Sequence, residues 1–329
     1  MRIRPLLKRV AGAVLDGVAF VFAPVLRVMA LYGFGTGRFL RRGVLPLPVH
    51  YYSPVPDVDD LVARDVWSRR SALPGIDFNV EGQLELLRRL GAAFGEECRW
   101  PFAPTANVGE FHLDNTNFSY GCAAALYSML RDLAPARVVE IGSGNSSKVI
   151  AAALARNART GGPKAAFEVV NPYPDESVLA QMAWPCTVHR QRVEAMPIDL
   201  LTSLGDRDVL FIDSGHTVRI GGDVNFLFLD VIPRLVPGVV VHVHDVNLPY
   251  EYNRAYATHQ PGTFLRLWTE AYLLQAFLAH NAAWEVLLGM RFLQLDHPDE
   301  FRRAFPHFDP ARHTNMSSSF WMRRRPVVG

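Results

Sequence analysis

The second half of the chain alternates short apolar runs with segments of helical spacing. Five runs read as strands: 137–141, 165–172, 186–194, 208–215 and 238–246. Strands that are apolar along their whole length are typical of parallel sheets covered by helices on both faces. WEVLLG (284–289) and SSSFWMRRR (317–325) add a terminal, antiparallel pair. The pattern predicts an α/β fold, a doubly wound, mostly parallel seven-stranded sheet.

The first half of the chain has a different pattern, with apolar residues three or four positions apart. This spacing predicts helices within 80–133, and a late helix is predicted at 263–281. Residues 43–57 carry four prolines and are expected to form an extended connector. The predicted organisation is a helical N-terminal segment (1–42), a proline-rich connector with a helical cap (43–114) and an α/β domain (115–329).

An apolar run at residues 10–26 follows a basic start and precedes Arg27. It is about 17 residues long and is interrupted by Asp16 and Pro24, which is marginal for crossing a bilayer. The favoured interpretation is a helix packed on the protein or on a partner. An interfacial membrane helix is the second alternative, with contact through residues 1–30, and a membrane span or signal segment is the third.

The net charge and the cysteine content give no support to a nucleic-acid-binding protein or to a disulfide-rich or zinc-knuckle protein. The formal charge of +2 gives no electrostatic argument for nucleic-acid binding. Three cysteines, Cys98, Cys122 and Cys186, are too few and too scattered for a disulfide framework or a zinc knuckle. A reducing, cytoplasmic location is expected, with membrane association through the N-terminal segment as an addition, and a homo-oligomer is compatible with the sequence.

A glycine turn follows the first predicted strand, in VVEIGSGNSS (138–147). Glycines at a strand-to-helix turn let a ligand approach the backbone, and the helix start offers free N–H groups. The dinucleotide fingerprint would need a third glycine where Ser147 stands, which disfavours an NAD-dependent oxidoreductase.

Glu140, two residues before Gly142-Ser143-Gly144, gives this turn the form E-x-G-x-G, which resembles motif I of class I S-adenosylmethionine-dependent methyltransferases. The resemblance implies a Rossmann-like methyltransferase fold, with the acidic residue and the glycine turn at the cofactor. It implies two further cofactor contacts, at Asn171 and Glu194, and at Asn171 the sequence departs from the acidic residue usual for the family. GVVVHVHDVNLPYEY and the late helix are similar to a bacterial branch that methylates hydroxyls of small molecules and sugars.

FIDSGH after the fourth strand and HDVN after the fifth place acidic residues at neighbouring strand ends. In the implied strand order, Asp213 and Asp245 converge, with Asn247 in reach as an oxygen ligand. Carboxylate and amide oxygens suit a hard divalent cation such as Mg²⁺. Catechol-type O-methyltransferases use an equivalent set and a base three residues after the first aspartate. The resemblance thus implies Asp213, Asp245 and Asn247 as metal ligands, with Asp213 also at the cofactor, and His216 as the base.

Other interpretations stay open. His242 and His244 share one face of the fifth strand, and His242 is expected to be a core residue. Glu270 is a candidate for the acceptor pocket or for helix packing. The predicted function is S-adenosylmethionine-dependent O-methylation of a small-molecule or glycosidic acceptor, with a divalent cation as an optional aid. A metal-independent methyltransferase with a histidine base and a non-catalytic binding or scaffold protein are the alternatives.

Overall fold

The computed structural model describes residues 3–258 and 265–326, and for residues 3–10 it describes the backbone alone. The chain forms two compact units: Met1–Arg69 with Tyr252–Leu267, and Arg70–Glu251 with Trp268–Gly329. These units differ from the predicted division at 42 and 114, since residues 70–114 join the unit that contains the sheet.

The larger unit is built on one seven-stranded sheet, as the apolar runs predicted. The strands in chain order are β1 (Arg137–Ile141), β2 (Ala166–Val170), β3 (Thr187–His189), β4 (Val209–Ile212), β5 (Val240–Val243), β6 (Trp284–Gly289) and β7 (Phe320–Arg324). Their order across the sheet is β3-β2-β1-β4-β5-β7-β6. The first five strands are parallel, and β7 is antiparallel to both β5 and β6. The predicted fold class is confirmed.

Helices cover this sheet, and the chain order alternates as expected for a doubly wound fold. The helices of the larger unit are α4 (Val80–Phe94), α5 (Tyr120–Leu133), α6 (Asn145–Arg159), α7 (Glu176–Leu179), α8 (Ile198–Thr202), α9 (Asp223–Phe226), α11 (Glu270–Leu278), α12 (Met290–Asp296) and α13 (Pro298–Ala304). Helix α5 is buried along nearly its whole length, and its apolar side chains join those of β1, β4 and α6 in the main core.

The smaller unit contains four helices among the described residues: α1 (Ile3–Tyr32), α2 (Thr36–Leu40), α3 (Val58–Ala63) and α10 (Arg254–Ala257). Asp57 starts α3 because its carboxylate accepts hydrogen bonds from the N–H groups of Asp59 and Asp60. A short 3₁₀ turn, Val66–Ser68, precedes the boundary with the larger unit.

The helical segment after β4 is irregular, and the predicted late helix differs from the structure in extent. The segment after β4 is divided into α9, a π-helical turn (Leu227–Val231) and a 3₁₀ turn (Ile232–Arg234). Pro233 has no N–H, so the regular α-helical hydrogen bond cannot continue there. The late helix begins at Glu270 instead of residue 263, and residues 263 and 264 lie outside the described residues. The N–H groups of Thr269 and Glu270 both donate to the carbonyl of His216, which fixes this helix start.

Candidate active site

The glycine turn after β1 is pressed against the end of β4. Gly142 has a φ of +104°, and a Cβ at this position would lie 2.3 Å from the backbone oxygen of Asp213. The N–H of Gly142 donates to the carbonyl of Val170, and the N–H of Asp213 donates to that of Ile141. The turn therefore requires glycine for both its backbone conformation and its space.

Glu140 lies beneath this turn and is fully buried. Its two carboxylate oxygens accept hydrogen bonds from the hydroxyls of Ser146 and Ser147 at 2.6 and 2.7 Å. Burial raises the pKa of Glu140 to about 8; the two serine hydrogen bonds oppose this shift, and the charge of Asp213 adds to it. The contacts of Glu140 in the structure are with the start of α6. The two serines were not among the predicted site residues, although they follow the turn directly in sequence.

A cavity of about 360 Å³ opens above the carboxyl ends of β1, β2 and β4. Five of the predicted cofactor residues line it: Gly142, Ser143, Asn171, Glu194 and Asp213. The other two, Glu140 and Gly144, do not line it. This position is the one at which open α/β sheets bind ligands.

Asn171, which replaces the acidic residue usual for the family, connects two walls of the cavity. Its side-chain amide donates to the hydroxyl of Ser143 at 2.7 Å, and its oxygen accepts from the N–H of Tyr173 at 2.8 Å. The amide therefore joins the turn after β1 to the loop after β2. A carboxylate could not donate the first of these hydrogen bonds.

Two arginines line the same cavity and were missed by the sequence analysis. Arg192 and Arg219 are both largely exposed, and each has an acidic side chain near it: Glu194 at 3.9 Å and Asp223 at 3.8 Å. Exposed arginines carry no local motif, so only the fold brings them to the cavity.

Asp213, His216 and Asp245 form a compact cluster at the ends of β4 and β5. Nε2 of His216 lies 3.2 Å from Oδ1 of Asp213 and 3.7 Å from Oδ2 of Asp245. One ligand atom from each of the three residues lies within 4.8 Å of the others. Ser318, two residues before β7, donates to Oδ1 of Asp245 at 2.9 Å. Asp213 belongs to both the cluster and the cavity, so the two sites are continuous.

The backbone is strained at two residues of this cluster, His216 and Asp245. His216 and Asp245 have φ values of +54° and +56°, in the left-handed region that residues other than glycine seldom adopt. Such conformations persist where the surrounding structure holds them and are frequent at functional sites.

Glu270 contacts His216 at Nδ1, the ring nitrogen that does not face the two aspartates. Its Oε2 lies 2.8 Å from Nδ1 of His216, and Glu270 is only 1% exposed. The ring of Trp268 lies 4.4 Å from the imidazole, centroid to centroid. Together with the Thr269 and Glu270 N–H groups on its carbonyl, these contacts fix the orientation of His216. Glu270 is thus part of the histidine site, a role that the helical pattern of its neighbours did not indicate.

The charges of the cluster reinforce each other. Burial by itself would lower the pKa of His216, but hydrogen bonds to Asp213 and Glu270 outweigh it and raise this pKa well above the ordinary value. Burial would raise the pKa of Asp213, yet the nearby His244 and His216 hold it below its ordinary range. Burial raises the pKa of Glu270, against the opposing effect of His216. The cluster thus favours a positive charge at its centre.

Asn247, the predicted third metal ligand, is hydrogen-bonded to groups outside the cluster. Its amide oxygen accepts two hydrogen bonds from the guanidinium of Arg291, at 2.9 and 3.2 Å, and its NH₂ group donates to the carbonyl of Glu251. These hydrogen bonds connect the loop after β5 to Arg291.

The two histidines of β5 have different surroundings. His242 is fully buried, with its ring stacked on Phe211 at 3.9 Å, and burial holds its pKa well below the ordinary value. This confirms that His242 is a core residue. His244 lies nearer the cluster, with Nε2 3.7 Å from Oδ1 of Asp245. Burial would lower the pKa of His244, but the charges of Asp245 and Asp213 outweigh it and raise this pKa.

Comparison with known proteins assigns the segment that contains this site. Residues 139–246 match a family model described as a methyltransferase domain, over about a third of the chain. The match runs from β1 to the loop after β5 and includes the glycine turn and the Asp213–His216–Asp245 cluster. Over this segment the chain therefore matches a methyltransferase domain, in agreement with the resemblance seen in the sequence.

The chain is also similar to one sequence relative and to several solved structures. An uncharacterized protein from Archaeoglobus fulgidus is 30% identical over 134 residues, which cover 39% of this chain and 59% of that relative. An O-methyltransferase from Bacillus cereus, in complex with SAH, is 11% identical; the match covers 81% of this chain and 97% of that one, with a TM-score of 0.35. CmcI in its apo form is 13% identical. The match covers 63% of this chain and 72% of that one, with a TM-score of 0.31. These structural likenesses are slight, and the assignment rests on the matched segment and the strand order.

Proposed function

We propose that this protein transfers the methyl group of S-adenosylmethionine to a hydroxyl of a small molecule or sugar, with a divalent cation held by Asp213 and Asp245. The observation that carries the proposal is the position of Asp213, which lines the cofactor-sized cavity and also belongs to the acid–histidine cluster. A methyl donor in the cavity and an acceptor at the cluster would therefore be neighbours.

The residues of the cluster fit a divalent cation. Two carboxylates and one imidazole offer three ligand atoms within 4.8 Å of each other, and carboxylate oxygens are the ligands that Mg²⁺ and Mn²⁺ prefer. Asp213 and Asp245 would hold the cation, and its charge would lower the pKa of an acceptor hydroxyl bound to it.

His216 is the candidate proton acceptor, and its neighbours decide which nitrogen serves. Glu270 engages Nδ1, so that this nitrogen carries a proton and Nε2 faces the two aspartates. Burial would lower the pKa of His216, but the hydrogen bonds to Asp213 and Glu270 raise it well above its ordinary value. A cation that offsets the charge of Asp213 and Asp245 would bring this pKa down toward the working range of a general base. This relation favours the cation-assisted reaction over the metal-independent alternative.

Calorimetry with S-adenosylmethionine tests the cofactor half of the proposal. We expect saturable binding to the full chain, and binding should be lost when the cavity is altered. A dissociation constant of about 1 mM corresponds to a binding free energy of about −4 kcal/mol. If no binding is detected at millimolar cofactor, both enzyme mechanisms are contradicted and the non-catalytic alternative is favoured.

Titration with Mn²⁺, followed by its paramagnetic effect on water relaxation, tests the cation half. We expect binding to the wild-type chain and a loss on the order of 100-fold in Asp245→Asn, since a ligating carboxylate is replaced by a neutral amide. Asp296→Asn is the matched control because Asp296 contacts Arg70 and Tyr250 away from the cluster. Equal Mn²⁺ affinity in wild type and Asp245→Asn would remove the cation from the proposal.

The acceptor can be identified from metabolites of cells with and without the protein. Methyl transfer adds about 14 mass units to one species, and its hydroxyl class follows from the fragmentation pattern. An acceptor modified on nitrogen or carbon would contradict the O-methylation part of the proposal.

A further inference from the structure

The smaller unit contains a long apolar helix whose side chains are exposed. None of the Ala11–Tyr32 part of α1 is buried, and large apolar side chains such as Phe20, Val21 and Phe22 are 84%, 67% and 55% exposed. The sequence pattern favoured a helix packed on the protein or on a partner, with an interfacial membrane helix as the second alternative. An apolar surface of this size has a high free energy in water and requires a cover.

The dimensions of the helix fit a lipid bilayer. The exposed segment has 22 residues and a mean hydropathy of 2.0. At about 1.5 Å per residue it is about 33 Å long, close to the roughly 30 Å thickness of a hydrocarbon core. Its two charged residues, Asp16 and Arg27, lie about one and a half turns from either end of the segment, where a side chain can reach the headgroup region.

The charge of the surrounding sequence selects an anionic surface. Residues 1–56 contain eight basic residues and one acidic residue, a formal charge of +7, whereas the whole chain carries +2. The remainder of the chain is therefore formally −5. Three of the basic residues, Arg38, Arg41 and Arg42, come directly after the helix, together with the exposed aromatic side chains of Tyr32 and Phe34. Basic and aromatic residues at the end of an apolar helix are typical of a membrane boundary.

We propose that α1 inserts into a lipid bilayer and that the arginines after it bind anionic headgroups. Nucleic acid would match the positive charge but would leave the apolar side chains in water. A second copy of α1 would cover the apolar side chains but would bring two strongly positive segments together. An anionic bilayer satisfies both features.

Flotation of the full-length protein with lipid vesicles tests this proposal. We expect flotation with phosphatidylcholine vesicles that contain about one-third phosphatidylglycerol, and weaker flotation with phosphatidylcholine alone. Protein that stays at the bottom of the gradient with both lipids would overturn the proposal. Equal flotation with both lipids would overturn the assignment of an anionic surface.

Charge-neutralised variants separate the electrostatic contribution to vesicle binding from nonspecific adsorption. Replacement of Arg38, Arg41 and Arg42 by glutamine should weaken partitioning into anionic vesicles about 100-fold, since each basic residue near such a surface contributes about 1 kcal/mol. The matched control replaces Arg88, Arg302 and Arg303, which are also exposed, by glutamine. An equal loss in the control would show that net charge alone is responsible and would overturn the headgroup site.

A buried fluorophore tests the insertion itself. Phe22→Trp in the otherwise unchanged chain should show a blue-shifted emission that brominated lipids quench when anionic vesicles are added. A tryptophan at exposed Leu229 of the larger unit is the control, and we expect no quenching there. An unquenched Trp at position 22 in the presence of anionic vesicles would overturn insertion. Thermal unfolding of both variants checks that the fold of the larger unit is unchanged.

Discussion

The two halves of the candidate site are built by different physical means. On the β1 side, the cavity owes its shape to the backbone: Gly142 has a positive φ and touches the end of β4, and no side chain fits there. On the β4 and β5 side, the site is made by charged side chains, with His216 held between Asp213, Asp245 and Glu270.

This difference affects how each half responds to change. Contact between backbone atoms is short-ranged, so one added methyl group in the glycine turn has a large and local effect. Charges in a buried cluster interact over longer distances, so removal of one group changes the pKa of the others and leaves the shape intact. Substitutions in the two halves should therefore have different kinds of effect, steric on the β1 side and electrostatic on the β4 and β5 side.

The largest effect is expected from Gly142→Ala. The new Cβ would lie 2.3 Å from the oxygen of Asp213, at a φ of +104° that alanine avoids, so the turn must move away from β4. We expect calorimetric affinity for S-adenosylmethionine to fall on the order of 100-fold or more.

Gly205→Ala is the control for this change. A Cβ at Gly205 would make only an ordinary contact, 3.6 Å from Oδ2 of Asp208. Its affinity should match that of wild type. Near-wild-type binding by Gly142→Ala would show that the turn does not form the cofactor site.

The sequence was sufficient to predict the sheet and the steric half of the site. Continuous apolar runs identified the strands, and Gly142 with Ser143 could be placed because a strand-to-helix turn is a local feature. The start of the late helix could not be predicted, because hydrogen bonds from Thr269 and Glu270 to the distant His216 determine it. The surroundings of α1 could not be decided from the sequence either, since apolar composition does not distinguish a helix buried in the protein from one covered by a partner or a membrane.

Glu270→Gln tests the electrostatic half with no change of shape. The hydrogen bond and charge of Glu270 both raise the pKa of His216, so their loss should lower its titration midpoint. A charged hydrogen bond of about 1.5–3 kcal/mol corresponds to a shift of about one to two pH units. The measurement is an NMR titration of histidine ring signals, assigned with His216→Asn.

Two observations would contradict this assignment of Glu270. An unchanged His216 midpoint in Glu270→Gln would show that Glu270 has no electrostatic effect on this histidine. A similar shift in Glu285→Gln, whose carboxylate pairs with Arg323 at a distant strand, would show that the effect is not specific.

The electrostatic half was only partly predictable, for a reason that its residues illustrate. Asp213, His216 and Asp245 could be inferred because neighbouring strand ends meet at one edge of a parallel sheet. Glu270 and Ser318 come from later elements, and nothing in their local sequence indicates the cluster. Asn247 was expected there because of its spacing, but its amide is hydrogen-bonded to Arg291.

Glu140→Gln should show a moderate effect that depends on pH. Folded Glu140 keeps its proton up to about pH 8, whereas the unfolded chain releases it near 4.5. Between these values the folded state binds more protons, so the free energy of unfolding of wild type falls as the pH rises. Glutamine cannot ionise, so the free energy of unfolding of the variant does not fall with pH for this reason. The Tm of the variant relative to wild type should therefore increase from about pH 5 to about pH 8.5, by 2–4 °C for each kcal/mol.

A difference in Tm that stays constant over this pH range would show that Glu140 does not change its ionisation on folding. Glu285→Gln again serves as the control, because its partly exposed carboxylate pairs with Arg323 away from the glycine turn.

The smallest effect is expected from Asn171→Asp, which restores the acidic residue at the end of β2. A carboxylate can accept hydrogen bonds from both ribose hydroxyls of the cofactor, and such charged bonds are stronger than those of an amide. The gain is offset because aspartate cannot donate to Ser143 as Asn171 does. We expect calorimetric affinity for S-adenosylmethionine to rise about threefold, or about 0.7 kcal/mol. Asn171→Ala, which loses both interactions, should bind more weakly than wild type, and tighter binding by alanine than by aspartate would place the ribose elsewhere in the cavity.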